Sequence, residues 1–323
     1  MCSLISSGPS IVIRAFNEEK HIGKLLAGIA EQTLKDPEVI VVDSGSTDAT
    51  VAIASRFGVR LVHIDPGEFT FGRSLNLGCQ AASREHIVNA SAHVFPVYPD
   101  WLERLVAPFA DSAIALSYGK QRGGPATKFS EHQVFAKLYP DQSRPRQESP
   151  LCNNANAAIR RSLWQQHPYD ESLSGLEDLA WASWALEQGR NLSYVAEAEV
   201  IHVHEETPRQ VYNRYRREAI ALRRIRPQEH FHLLDLARLY LSNVASDAYH
   251  ARRQGQLGEV WREILWFRWM QFWGTYRGFM HRGPLGQQLK ESFYYPRTIR
   301  QTPSAPQRAL KPIDYSHVQD LEG

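Results

Sequence analysis

Glu38–Asp43 reads EVIVVD and runs directly into Ser44-Gly45-Ser46-Thr47-Asp48. Four consecutive β-branched residues predict a strand buried on both faces, the mark of a parallel sheet. The small polar run after it predicts a tight exit from the carboxyl end of that strand. The same kind of run recurs on either side, at Ser10–Arg14, Arg60–Ile64 and His86–Ala90. Helical patterns lie between. Asn17–Gln32 carries Ile22, Leu25, Leu26 and Ile29 at helical spacing, Ser46 or Thr47 is placed to cap a helix ending near Phe57, and Arg73–Ala82 is a third candidate. Strand alternating with helix implies an α/β fold with a mainly parallel, Rossmann-like nucleotide-binding sheet, whose ligands bind beyond the carboxyl ends of the strands.

Further along, Gly119–Pro150 is rich in Gly, Pro, Lys and Arg with little periodicity, and reads as a long active-site loop. A short element at Trp164–His167 follows, then a helix near Glu177–Gln188 ending at Gly189, and short strands around Leu192–Val195 and Val200–Val203. Beyond Thr207 the pattern turns helical. Trp261, Leu265, Trp269, Phe272, Tyr276 and Phe279 fall on one helix face. The divisions expected are an α/β part over 1–206, with halves at about 1–118 and 119–206, a basic aromatic helical extension over 207–296, and a loosely held tail over 297–323.

Composition narrows the function. With 43% hydrophobic and 22% charged residues the chain of 323 is neither disordered nor fibrous, and no apolar run reaches the roughly 18 residues that cross a bilayer. The first residues lack a signal-peptide pattern, which places the expectation in the cytoplasm. Three cysteines without C-x-x-C spacing exclude a disulfide framework or a thiolate zinc site. Between Thr207 and Arg300, 17 Lys/Arg face 7 Asp/Glu, although the whole chain carries only +2. This basic part bears no nucleic-acid-binding motif, so no nucleic-acid partner is expected. Its aromatic face suits an anionic membrane surface, peripherally at the inner face, or equally a packed core.

The chemistry gathers at strand ends. Arg14-Ala15-Phe16-Asn17-Glu18 and Asp43-Ser44 close two neighbouring strands and define one crevice, where Asp43 can accept hydrogen bonds from a base or ribose or simply cap its own turn. Neither G-x-G-x-x-G nor a P-loop occurs. Glu177-Asp178 opens a helix, where acidic side chains also suit the helix dipole.

In combination, IVIRAFNEEKHIGKLLAGIAEQT, VIVVDSGSTDAT, FGRSLNLGCQAA, NNANAAIRRSLW, GLEDLAWASWALEQG and VIHVHEET resemble the inverting glycosyltransferases of family 2, which have the GT-A fold. The resemblance spans about Ser10 to Tyr215 and is nearest to bacterial rhamnosyltransferase-like members that assemble surface polysaccharide. It implies a nucleoside-diphosphate sugar donor and a saccharide or lipid-linked saccharide acceptor. It places Ala15, Phe16, Glu18, Asp43 and Ser44 around the nucleoside, Arg73 and Asn76 toward the pyrophosphate, Asn156 in the donor or acceptor pocket and Arg214 closing over the diphosphate. Asp178 is expected as the base, with Glu177 orienting. The family's Asp-x-Asp, which holds a divalent cation (Mn or Mg), is replaced here by Ser91-Ala92-His93; with His204, and with His202 on the same strand face as an alternative, the metal set expected is His93, Ser91, His204 and His202. Because Ser91 and His93 bring no negative charge, any ion is expected to be weakly held and to need the nucleotide. The missing carboxylates also leave a catalytically silent nucleotide- or carbohydrate-binding protein as the alternative.

Overall fold

A computed structural model describes residues 8–280, 310–316 and 318. Its strands and helices follow the order β1 (Ser10–Ala15), α1 (Ile22–Ala30), β2 (Glu38–Asp43), α2 (Thr50–Ser55), β3 (Arg60–His63), α3 (Phe71–Ala81), β4 (His86–Ser91), β5 (Val94–Pro96), α4 (Trp101–Val106), β6 (Ile114–Gly123), α5 (Phe129–Leu138), β7 (Arg144–Gln147), β8 (Asn156–Arg160), α6 (Arg161–Gln166), α7 (Glu177–Glu187), β9 (Asn191–His202), α8 (Pro208–Ile225), α9 (Leu233–Arg253) and α10 (Leu257–Phe279). One sheet runs β3-β2-β1-β4-β8-β6-β9-β5, with β7 added beside β9. The pairs among β3, β2, β1 and β4 are parallel, as is β6 with β9, while β8 runs against both its neighbours. Val12, Ile40 and Val42 are fully buried on one face and Ile11, Ile13 and Val41 on the other, so helices cover the sheet on both sides.

The register Ala15↔Asp43 and Arg14↔Ser91 brings the ends of β1, β2 and β4 level, which is how polar residues 77 positions apart in sequence come to share one rim. Asn17, at φ 54, turns the chain out of β1; its amide oxygen accepts from Thr47 N, and Ser46 Oγ accepts from Asn17 N. Ser46 and Thr47 therefore stitch two strand exits together instead of capping α2, which begins only at Thr50 after Asp48 accepts from Thr50 N.

Three elements differ from the sequence expectation. Gly119–Pro150 is not a loop: most of it forms the end of β6, then α5 and β7. Its periodicity is masked because α5 buries polar groups, Ser130 and Glu131, beside Phe129 and Phe135. The two short strands after Gly189 are one continuous β9, whose pairing with β6 shifts register between Gly119 and Gln121. The face drawn from Trp261 to Phe279 splits, with Phe272 and Phe279 fully buried while Trp261, Leu265 and Trp269 are exposed.

Helices α8 and α10 touch closely because Gly274 and Gly278 stand four apart; a Cβ at Gly274 would lie 2.5 Å from Tyr212 O, and one at Gly278 would lie 2.5 Å from Ala219 Cβ. Buried Arg268 on α10 forks onto Asp247 of α9 at 2.7 and 3.0 Å, and Asp247 also accepts from Ser130 of α5. Glu263 of α10 accepts from Phe129 N at the start of α5. The helical extension thus braces α5. The expected tail over 297–323 falls outside the described residues except at 310–316 and 318, and these are packed against the sheet domain. Ile313 N donates to Val97 O, the Tyr315 hydroxyl donates to Pro96 O, and Val318 is buried over α1.

Candidate active site

A cavity of about 710 Å³ opens beyond the carboxyl ends of β1 and β4, walled on the far side by the start of α7, the end of β9 and α8. Arg14, Glu18, Ser91, His93, Glu177, Asp178, His202, His204 and Arg214 all line it.

Glu177 and Asp178 occupy the first turn of α7, entered through Leu176 at φ 58, a left-handed conformation uncommon for a branched residue. That bend turns both carboxylates inward. Asp178 Oδ2 accepts from Asn154 N at 3.0 Å and Oδ1 from Leu179 N at 2.8 Å. Burial, then the adjacent charge of Glu177, pushes the Asp178 carboxyl up to about 7, against the pull of those two N–H groups and of Arg14. Glu177 has its own cation, Arg14 Nη1 at 3.4 Å. The Arg14 guanidinium lies 5.2 Å from the Phe71 ring centre and that of Arg217 lies 4.4 Å from it, so one ring carries two of the cavity's cations.

Opposite stand three histidines. His93, just past β4, is stacked on His202 of β9 with centroids 5.0 Å apart, and His204 meets His202 edge-on at 4.1 Å. Each uses Nδ1 against an oxygen at 2.7 Å: His93 to Glu18, His202 to Gln121 and His204 to Glu131. A carboxylate or amide oxygen only accepts, so in this arrangement Nδ1 carries the proton and Nε2 keeps its lone pair. The Nε2 atoms of His202 and His204 are 3.0 Å apart, and the three rings offer nitrogens all within 4.8 Å of one another. Burial, reinforced by the neighbouring His204, His93 and Arg214, holds His202 neutral, well below the ordinary imidazole range. Although burial opposes its ionisation, Glu131 is kept down at about 2 by Arg214 and His204. Arg214 Nη2 reaches Glu131 at 2.6 Å and its Nε reaches Glu206 at 2.9 Å.

Other expected residues lie elsewhere. Asn156 is fully buried, accepting from Trp101 Nε1 and donating to Lys120 O and Ala198 O, so it ties β8 to α4, β6 and β9 instead of lining the cavity. Asn76 is consumed by Tyr169, Trp164 and Glu171. Arg73 pairs with Glu68 at 2.8 Å and Glu171 at 3.6 Å, outside the cavity lining, because the first turn of α3 points it along the surface. Asp43, 2% exposed, accepts from Gly45 N and Ser46 N, as a turn cap does. Ser44 donates its N–H to Ala15 O; Ala15 is buried and Phe16 is 55% exposed at the rim. Phe71, Glu131 and Gln121 are not among the expected site residues, while Arg14 stands in the expected crevice and Arg217 in the basic segment with Arg214. Arg14 was legible as the last polar residue of β1, whereas Glu131 and Gln121 sat inside the segment read as a loop.

An open, mainly parallel α/β sheet with a polar cavity at its carboxyl edge is the arrangement of the GT-A fold. Residues 10–167 match the Glycosyl transferase family 2 profile, and the chain resembles family 2 rhamnosyltransferases in sequence. It is 28% identical over 220 residues to the O-antigen chain rhamnosyltransferase RfbN of Salmonella typhimurium, covering 64% of this chain and 69% of that protein. To the O-antigen chain rhamnosyltransferase WbaN of Salmonella anatum it is 28% identical over 196 residues, 57% of this chain and 62% of that one, so the chain spans less than two thirds of the latter's length. Among solved structures, the mannosyltransferase PcManGT of Pyrobaculum calidifontis, in complex with GDP-Man and Mn2+, superposes with a TM-score of 0.58 at 17% identity over 84% of this chain and 88% of that one. At that identity the likeness shows the fold. Among the described residues no helix is long and apolar enough to cross a membrane.

Proposed function

We propose that the cavity binds a nucleoside-diphosphate sugar and passes its sugar, with inversion, to a hydroxyl of a saccharide or lipid-linked saccharide in surface polysaccharide synthesis. The observation that carries this reading is the carboxylate pair at the start of α7, one member tied to Arg14 and the other pushed to about 7. A base near neutrality is what abstraction of an acceptor proton needs. Asp178 takes that proton as the hydroxyl oxygen bonds to the anomeric carbon, and the bond from that carbon to the phosphate oxygen breaks, releasing the nucleoside diphosphate. Glu177, fixed by Arg14, orients the acceptor, and the intact pair favours an enzyme over a silent binding protein. The Arg14, Arg214 and Arg217 guanidiniums are placed to stabilise charge on the departing diphosphate. Asp43, Ser44, Ala15, Phe16 and Glu18 form the nucleoside rim in this reading.

A divalent cation fits the residues present, since His93, His202 and His204 offer ring nitrogens within 4.8 Å of one another. Bound there, it would neutralise developing charge on the diphosphate. PcManGT, captured with GDP-Man and Mn2+, supports this by fold. We further assign 1–206 to catalysis, with α8 to α10 completing the cavity through Arg214 and bracing α5. The protein is read as cytoplasmic, resting peripherally on an anionic membrane through exposed Leu234, Leu241, Trp261, Leu265 and Trp269.

The test is a panel of nucleoside-diphosphate sugars with lipid-linked saccharide acceptors, scoring nucleoside diphosphate release and melting temperature. One donor should raise the melting temperature and be consumed only with acceptor. If no nucleotide or nucleotide sugar shifts melting and none is consumed, the reading is wrong.

A further inference from the structure

We infer that His93, His202 and His204 form a resident three-imidazole site for a borderline transition ion of the zinc and cobalt class, filled without nucleotide and selective against magnesium. The sequence expectation of a weak, nucleotide-dependent ion rested on Ser91 and His93 standing in for carboxylates. The folded chain brings both histidines of β9, His202 and His204, against His93 and adds a shell of acceptors behind all three rings.

Tautomer comes first. Glu18, Gln121 and Glu131 each take an Nδ1 proton at 2.7 Å, which fixes three imidazoles with Nε2 unprotonated. Acceptors behind the rings are the arrangement that orients histidine ligands and raises their basicity. Two Nε2 lone pairs 3.0 Å apart in a buried site repel unless a cation lies among them. Ring placement is equally fixed, since Phe135 packs 5.9 and 5.8 Å from His202 and His204, and His93 stacks on His202. Charge agrees as well: Glu18, Glu131 and Glu206 surround the cluster against one guanidinium, Arg214, leaving two negative charges that a dication balances. Neutral imidazole nitrogen suits zinc, cobalt and other borderline ions, whereas magnesium prefers oxygen and holds its water. Ion binding itself does not depend on the transferase reading; only the ion's part in catalysis does.

The experiment uses the full chain without a polyhistidine tag, stripped by chelator. Co²⁺ alone is titrated with visible absorption as the readout, then competed with Zn²⁺ and with Mg²⁺. Expected are one equivalent bound, an intense ligand-field band of low coordination number, displacement by stoichiometric Zn²⁺, and no displacement by excess Mg²⁺. His93→Phe, which keeps the ring stack, should abolish the band while circular dichroism and melting of the ion-free protein stay parental. Glu131→Gln should weaken Co²⁺ binding by about 10- to 100-fold, the usual cost of an altered partner behind a ligand. Absence of a band with the parental protein, or a band that persists in His93→Phe, overturns the proposal. The former outcome would mean that Gln121 is turned to donate and His202 hydrogen-bonds His204 with no ion between them.

Discussion

Arg14 reaches from the end of β1 to Glu177 at the start of α7, Nη1 to Oε1 at 3.4 Å, and this contact separates two carboxylates that are neighbours in sequence. Glu177 receives the guanidinium. Asp178 receives two backbone N–H groups and the repulsion of Glu177, so the pair is built to hold one proton near neutral pH.

Asp178→Asn keeps one of the two oxygens that accept from the backbone, gives up the other N–H partner, and removes the base. Turnover should fall at least about a hundredfold with donor affinity little changed. Stability should move the other way. The folded carboxyl, raised to about 7 from 3.8, binds its proton more tightly than the unfolded chain does, so its stabilisation is complete below about pH 4 and is lost as pH rises through 7. Between about pH 4 and pH 8 the parent should therefore lose stability that the Asn variant, with nothing to ionise, keeps. Parental turnover, or melting unchanged across this pH window, would contradict the assignment.

Arg14→Met removes the cation that draws the pair's proton affinity down. The acidic limb of the pH–turnover profile should then shift to higher pH, and activity at pH 7 should fall more than activity at pH 8.5. A profile displaced downward without a shift would reduce Arg14 to substrate binding.

Arg217 and Arg73 make a paired comparison. Arg217 lines the cavity over Phe71, and Arg73 is spent on Glu68 and Glu171. Calorimetry should find nucleoside diphosphate binding weakened by about 1–3 kcal/mol in Arg217→Ala and unchanged in Arg73→Ala. The reverse ranking would return the pyrophosphate to the α3 side.

Trp261→Ser with Trp269→Ser should reduce sedimentation with anionic vesicles, which salt should also release in the parent. Equal sedimentation with neutral vesicles would remove the membrane assignment.

Gly278→Val places branched carbon against Ala219 Cβ and Arg216 O, so overpacking should cost about 1–3 kcal/mol in denaturant unfolding. Because α8 carries Arg214, nucleotide affinity should fall too.

Sequence alone determined the parallel half of the fold, since buried strands such as Glu38–Asp43 leave continuous β-branched runs and amphipathic helices leave a period, both local signals. It also determined the carboxylate pair and the three histidines, because chemistry-bearing residues at strand ends and at a helix start mark themselves by type and place. Tertiary structure alone decided which of them meet. Glu131 and Gln121 stand behind the histidines only because α5 and β6 fold against β9, and α5 hides its period by burying Ser130 and Glu131 against Asp247, His204 and Arg214, partners from 73 to 117 residues away. Asn76, Asn156 and Arg73 read like ligand-binding groups and became internal ties or surface pairs for the same reason: hydrogen-bonding capacity is written in the residue, but its partner is chosen by packing.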